Sequence, residues 1–221
     1  SLHDALPISE RAALASEHRF ALRLHVPDET IAFVDAIQGP HEQSLANECG
    51  DFVLRRSDGV FAYQLVCVVD DIASGVTQVV RGRDLLSSTP RQMLLYNLLN
   101  APVPEFAHHP LLLASDGRRL SKRDGDAYFS DYVDKGYLVE AIVNYLALVG
   151  WNPGDDREFF TLDELVEAFD IHRINKAPGI FDVKKLTWFN AEYIRRLTPE
   201  KYLEMVTPWF DKVFGDSSKM D

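Results

Sequence analysis

The amino-acid sequence predicts an α/β layer followed by an all-helical region. In the first part, alternating residues over 20–26, a β-branched segment over 77–81 and an apolar stretch over 106–113 predict strands, with helical patterns between them. After Gly125 the strand signals nearly disappear, and apolar residues recur at helical spacing. We therefore expect α/β structure up to a boundary near 124–128 and only helices beyond it.

Local patterns define the elements of the first part. They are a half-buried strand over 20–26 that ends at Pro27, a strand over 52–56, a buried helix over 61–71 that stops at Ser74-Gly75, a strand over 77–81, a helix from Ser88-Thr89-Pro90 to Asn100, and a strand over 106–113.

The second part carries clear helix start and stop signals. They predict a helix over 138–149 with Gly150 as its C-cap, a helix opened by the capping box Thr161-Leu162-Asp163-Glu164, a helix over 182–194, a helix capped by Thr198-Pro199, and a frayed tail from Gly215.

Composition narrows the class of protein. The 221 residues are 46% hydrophobic and 26% charged with a net charge of −11, so a real core is expected and any nucleic-acid site must be local. No apolar run approaches the ~20 residues of a membrane-spanning helix. Cys49 and Cys67 are far apart, which excludes a disulfide framework and a cysteine-rich zinc ribbon and favours a reducing, cytoplasmic location.

A basic, glycine-flanked loop over 115–125 carries the chemistry. Its four basic residues outnumber its two acidic ones over 116–124, although the chain as a whole is acidic. Such a loop after a strand can place Lys122 and backbone N–H groups against a polyphosphate. Considered alone, a solvated surface turn would have the same composition.

Within this loop, Arg119-Leu120-Ser121-Lys122-Arg123 resembles the K-M-S-K-S signature of class I aminoacyl-tRNA synthetases, in the form found in glutamyl enzymes. Matches to glutamyl-tRNA synthetases continue in order over about 20–210. Segments that resemble the second half of the Rossmann-like catalytic domain are 61–65, 68–71, 80–82, 86–90 and 106–108, and those that resemble the helical stem-contact domain are 136–151, 154–158 and 181–190.

The resemblance implies a glutamate site and an ATP site. Tyr63 and Arg81 would contact glutamate, because a phenol and a guanidinium suit a carboxylate, and Cys67 would face the same substrate. Lys122 and Arg119 would be catalytic, holding the triphosphate and then the departing pyrophosphate. The ATP-binding residues implied are Asp84, Leu120, Ser121, Lys122 and Arg123.

The implied reaction is ATP-dependent activation of glutamate to glutamyl-adenylate, followed by transfer to tRNA. The partners would be tRNA(Glu), L-glutamate and ATP with Mg²⁺, in a monomeric, cytoplasmic protein without a membrane segment. We expect no dedicated metal site and no protein-bound zinc, because the histidines lack ligand spacing and His108-His109 is interpreted as a strand-end pair.

The resemblance also implies the domain organisation. It comprises an N-terminal remnant or scar over 1–19, the end of the acceptor-binding insertion over 20–50, the second half of the catalytic domain over 51–125, the helical stem-contact domain over 126–198, and the start of the anticodon-binding region with a tail over 199–221.

Two departures from the family pattern leave more than one function open. An H-I-G-H-type motif is absent from the sequence, so we expect a chain truncated at both ends that does not activate glutamate alone. Cys67 stands where the glutamyl enzymes usually place asparagine. Together with 62–64 and 83–86, this residue resembles the short paralogue that glutamylates queuosine in tRNA(Asp), which lacks the helical continuation. The same residues would also fit a non-catalytic tRNA-binding fragment or a generic α/β protein.

The individual site residues also have plain structural explanations. Arg81 could form a salt bridge at the end of its strand, Asp84 could be an ordinary loop carboxylate, and Cys67 could simply pack in the core of a buried helix.

Overall fold

The computed structural model describes residues 19–120 and 128–215. The chain divides into two compact units between His109 and Pro110, each described below by itself. This division precedes the boundary expected near 124–128, because residues 112–114 pair with residues 179–181 and so belong with the helical part. The domain roles assigned from the sequence stay predictions.

The first unit combines three two-stranded pairings with helices. Its elements are β1 (Leu22–Leu24), β2 (Thr30–Asp35), β3 (Gly39–Ser44), α1 (Leu45–Glu48), β4 (Phe52–Arg55), α2 (Tyr63–Ser74), β5 (Gln78–Gly82), a 3-10 helix (Arg83–Ser88), α3 (Thr89–Leu98) and β6 (Glu105–His109). β1 pairs with β4 and β2 with β3, both antiparallel, whereas β5 and β6 are parallel. One core cluster, which includes Leu45, Val68 and Phe106, joins these pieces.

Most elements predicted for this unit are confirmed as helix or strand, although their bounds differ. α2 ends at Gly75, which adopts the left-handed conformation (φ 66°). The expectation that α2 is buried is wrong, because Val68 is buried but Val66 and Val69 are exposed. α3 begins as predicted at Thr89-Pro90 but ends at Leu98 rather than Asn100, and the Ser88 side chain does not cap it.

The predicted strand over 106–113 is wrong as a single element. Pro110 has no N–H to donate to a ladder, and it separates β6 from a second strand, β7 (Leu112–Ala114). β6 pairs with β5, whereas β7 pairs with a strand much later in the chain.

The second unit contains β7 and the helices. Its other elements are α4 (Phe129–Asp134), α5 (Val139–Gly150), α6 (Leu162–Ala168), a 3-10 helix (Ile171–Arg173), β8 (Gly179–Phe181), α7 (Val183–Arg195) and α8 (Pro199–Phe214). The expectation of helices alone after residue 125 is wrong at β8, since a three-residue strand is too short to show a period in sequence. Among the described residues, no helix has both the length and the apolar character needed to cross a membrane.

Two helix starts of this unit, at Thr161 and Thr198, carry the predicted caps. The N–H of Glu164 donates to the Thr161 hydroxyl (3.2 Å), and the Glu164 carboxylate accepts from the Thr161 N–H (2.7 Å), which completes a capping box. Asp182 caps α7 and Thr198 caps α8. The prediction that Gly150 is the C-cap of α5 is wrong. Gly150 is the last helical residue, and Trp151 follows it in an extended conformation.

We expect Thr161→Ala to lower the free energy of unfolding by about 1 kcal/mol, because the substitution leaves an N-terminal N–H of α6 without its acceptor. Urea denaturation at neutral pH measures the change. Thr207→Ala is the control: its hydroxyl donates to the Leu203 carbonyl inside α8, so its loss should stay within about 0.5 kcal/mol. Equal losses from both variants would contradict the capping role.

Candidate functional site

The carboxyl ends of the two parallel strands form the best candidate site. The register of β5 and β6 places Arg81 beside His108 and Gly82 beside His109. The 3-10 helix follows β5 directly and leads into α3. In open α/β sheets ligands bind at this edge, where the strands end.

Arg81 is held on one side by three groups. Its Nε donates to His108 Nε2 (3.0 Å), and its Nη2 donates to Thr89 Oγ1 (2.9 Å) and to the Leu85 carbonyl (3.5 Å). The guanidinium also lies over the Phe106 ring, 5.4 Å from its centroid. Burial lowers the pKa of Arg81, but a guanidinium stays protonated in proteins, so the site contains a half-buried positive charge.

Behind Arg81, a fully buried pair is formed by His108 and Asp35. His108 Nδ1 lies 2.5 Å from Asp35 Oδ2, and both side chains have no exposed surface. Because His108 Nε2 accepts from Arg81, the ring proton must lie on Nδ1, which donates to Asp35. Burial lowers the pKa of His108, against the opposing effect of the Asp35 carboxylate, in agreement with a neutral ring that accepts from Arg81 at Nε2.

The second oxygen of Asp35 is fixed by the backbone. Asp35 Oδ1 accepts from the N–H groups of Ile37 (3.0 Å), Gln38 (2.8 Å) and His108 (3.1 Å). Burial alone would raise the pKa of this carboxyl, yet hydrogen bonds from Gln38 and His108 hold the pKa below its usual value. The turn between β2 and β3 is therefore attached to the end of β6.

We expect the pH dependence of stability to identify the neutral His108. Since its folded pKa lies below 6.5, the unfolded chain takes up a proton first as the pH falls. The neutral ring contributes its full stabilisation above pH 6.5. This stabilisation is lost as the pH falls from 6.5 toward the folded pKa, by up to about 1.4 kcal/mol per pH unit.

Urea denaturation of the wild type and of His108→Gln, between about pH 7.5 and about pH 5, tests this expectation. Glutamine does not titrate, so its curve should be flatter, and the difference removes the contribution of the other histidines. Parallel curves for the two proteins would show that His108 does not titrate on unfolding in this window.

The structure brings Tyr63 and Cys67 near Arg81. They stand one turn apart on α2, within electrostatic range of the guanidinium. The Cys67 thiol, followed by desolvation, raises the pKa of the Tyr63 phenol. Tyr63 remains 56% exposed and Cys67 is half-buried, so both side chains are accessible at this end of the unit.

The other predicted site residues belong to both units, and three of them lie outside the described residues. Asp84 is exposed in the first turn of the 3-10 helix. In the second unit, Arg119 is exposed and its backbone forms an isolated antiparallel β-bridge with Leu113. Leu120 packs against the hydrophobic core cluster of this unit. Ser121, Lys122 and Arg123 lie outside the described residues, so their predicted roles stay predictions.

Sequence reasoning missed Asp35 and Thr89 and interpreted His108 only as part of a strand-end pair. The signal available was weak: Asp35 ends its strand shortly before Gly39, as many carboxylates next to turns do. Over residues 19–120 and 128–215, no group of three or more histidine, cysteine or acidic side chains is placed to hold a metal ion.

Comparison with known proteins identifies relatives over most of the chain. Residues 3–188 match the family model described as tRNA synthetases class I (E and Q), catalytic domain. A glutamate–tRNA ligase from Clostridium botulinum is 47% identical over 182 residues, covering 82% of this chain and 37% of the relative. One from Synechococcus is 41% identical over 211 residues, covering 94% of this chain and 44% of the relative.

A solved structure shares the fold. The glutamate tRNA ligase from Elizabethkingia meningosepticum, crystallised in complex with its amino acid, aligns with a TM-score of 0.83 and 33% identity over 94% of this chain and 44% of that one. The chain thus spans less than half the length of these relatives.

Proposed function

The chain belongs to the class I tRNA synthetases of the E and Q group, and on this premise we propose that it forms part of a glutamate–tRNA ligase. The ligase would activate L-glutamate with ATP to glutamyl-adenylate and transfer the glutamyl group to tRNA(Glu). The relatives named above are glutamate–tRNA ligases, and they extend through the helical region, which favours this function over that of the queuosine-modifying paralogue.

The arrangement around Arg81 carries the proposal. A half-buried guanidinium at the end of a parallel strand, with Tyr63 and Cys67 beside it, offers charge and hydrogen bonds to a carboxylate. A carboxylate brought to this site would replace water around Arg81 with a paired charge. The α-amino acid glutamate supplies such a group.

ATP would engage the basic loop. We assign Lys122 and Arg119 to its phosphates, with Asp84, Leu120, Ser121 and Arg123 as further contacts. Catalysis would then consist of positioning and of stabilising the charge on the departing pyrophosphate. Mg²⁺ would arrive with the ATP and would offset part of the negative charge on its phosphates.

The helical unit would contact the tRNA stem. Exposed basic residues stand at both ends of α7, with Lys184 and Lys185 at its start and Arg195 and Arg196 at its end. Such charges bind phosphates without reading sequence. A monomeric state and a cytoplasmic location belong to the same proposal.

Two assays on the purified 221-residue chain test this function. We expect saturable binding of tRNA(Glu) that weakens with added salt, and no ATP–pyrophosphate exchange, because the H-I-G-H-type motif is absent from the sequence. The matched comparison is tRNA(Asp), which should bind with similar affinity, because contacts to phosphates do not read sequence. A preference for tRNA(Asp) would favour the queuosine-modifying paralogue, and failure to bind either tRNA would contradict the tRNA-contact role.

A further inference from the structure

The buried Asp35–His108 pair lies one layer behind the proposed substrate contacts. Neither side chain is exposed, so neither touches a substrate directly. His108 joins the pair to Arg81 directly, by the hydrogen bond from Arg81 Nε to His108 Nε2, and the Thr89 hydroxyl lies 3.2 Å from the same Nε2. Hydrogen bonds therefore connect the buried carboxylate of Asp35, through the imidazole of His108, to the guanidinium of Arg81.

The contacts of Arg81 leave one end of the guanidinium for a ligand. Nε is taken by His108, and Nη2 is taken by Thr89 and Leu85. Within the described part of the chain, Nη1 donates no hydrogen bond. A guanidinium is planar and rigid, so fixing its Nε edge also fixes the direction of Nη1.

We propose that Asp35, acting through His108, positions Arg81 so that the Nη1 end of the guanidinium faces the substrate carboxylate. Asp35 and His108 are positioning residues, and the inference rests on the proposed function, in which Arg81 binds glutamate. The carboxylate selects the ring tautomer with its proton on Nδ1, and this tautomer alone leaves Nε2 able to accept from Arg81.

Asp35→Asn separates this role from simple packing. The three backbone N–H groups at Oδ1 require an acceptor, so the amide oxygen of asparagine must occupy that position. The amide NH₂ then faces His108 Nδ1 and forces the ring proton onto Nε2. An N–H on Nε2 would oppose the Arg81 Nε–H, and the hydrogen bond between them would be lost.

The test is an NMR measurement of the ¹⁵N–¹⁵N scalar coupling across the hydrogen bond between Arg81 Nε and His108 Nε2, made on the ligand-free chain. We expect the coupling in the wild type and its loss in Asp35→Asn, with affinity for L-glutamate reduced about tenfold. Asp51→Asn is the matched control, because Asp51 also accepts from a histidine Nδ1 and a backbone N–H but is exposed and serves a different turn. It should change neither quantity.

The wild-type measurement needs no variant, so a failure of Asp35→Asn to fold does not block the test. In that event His108→Gln, whose amide oxygen can reach Arg81, should keep most of the affinity. His108→Asn, which reaches Asp35 but not Arg81, should lose about tenfold. Equal losses from these two variants would overturn the proposal.

The outcomes separate this proposal from the proposed function. A missing coupling in a wild-type chain that binds glutamate overturns the positioning role and leaves the function standing. The coupling in a chain that binds no glutamate contradicts the function and confirms the orientation of Arg81. A folded Asp35→Asn variant that keeps the coupling, or keeps full affinity without it, overturns the positioning role.

Discussion

Replacing Arg81 with alanine is expected to weaken the binding of L-glutamate to the chain by at least about 30-fold. Truncating one partner of a partly buried charge pair costs about 2 kcal/mol or more, and that energy corresponds to this factor in affinity. Arg81→Lys keeps the charge but lacks both the Nε donor to His108 and the planar fork, so it should recover little of the loss. Titration followed by NMR measures all three affinities on the same chain.

Arg83→Ala is the matched control, since Arg83 is an arginine two residues further on, in the first turn of the 3-10 helix. We expect its affinity for glutamate to stay within about twofold of the wild type. A comparable loss from both variants would indicate a general effect of positive charge rather than a contact with Arg81. An unchanged affinity in Arg81→Ala would remove this residue from the glutamate site.

The largest expected effect on stability comes from Phe189→Ala, at about 3–5 kcal/mol. Phe189 has no exposed surface, and its ring centroid lies 5.7 Å from that of Tyr145, 5.2 Å from that of Phe159 and 5.2 Å from that of Trp188. Alanine would leave a cavity among groups held by the helices, which can close it only in part. Urea unfolding with a probe in the second unit measures the loss.

Trp188→Ala is the comparison for Phe189→Ala. Trp188 is the preceding residue on α7 and contacts Phe159 as well, but 44% of it is exposed. Its truncation exposes surface to water rather than creating an enclosed void, so we expect a clearly smaller loss of stability. A loss below about 1 kcal/mol for Phe189→Ala would show that this cluster collapses around the missing ring.

The sequence predicts the helices well because their ends carry local chemistry. The capping box at Thr161, the Thr198-Pro199 start and Gly75 act within a few residues of themselves, and each is confirmed. The strands depend on partners elsewhere in the chain. The segment 106–113 is largely apolar, and nothing local to it shows that its two ends pair with different strands on either side of Pro110.

The residues of the candidate site also fall into those that the sequence predicts and those that only the structure reveals. Arg81, Tyr63 and Cys67 were predicted from the resemblance to a family, and in the structure Tyr63 and Cys67 lie within electrostatic range of Arg81. Asp35 and His108 are far apart in sequence, and their side chains meet only because the β2–β3 turn docks on the end of β6. A buried carboxylate has no pattern of its own in a single sequence, so its partner has to come from the fold.

The pairing of β7 with β8 has a consequence for how the chain acquires its structure. Residues 115–178 separate the two strands, and closing so long a loop costs entropy before any contact is gained. During synthesis the N-terminal part emerges first. Each described strand of the first unit has its described partner within residues 19–109, whereas β7 pairs with Gly179–Phe181. The first unit can therefore form while the ribosome is still adding the helices, and the second unit completes only after most of its length has been made.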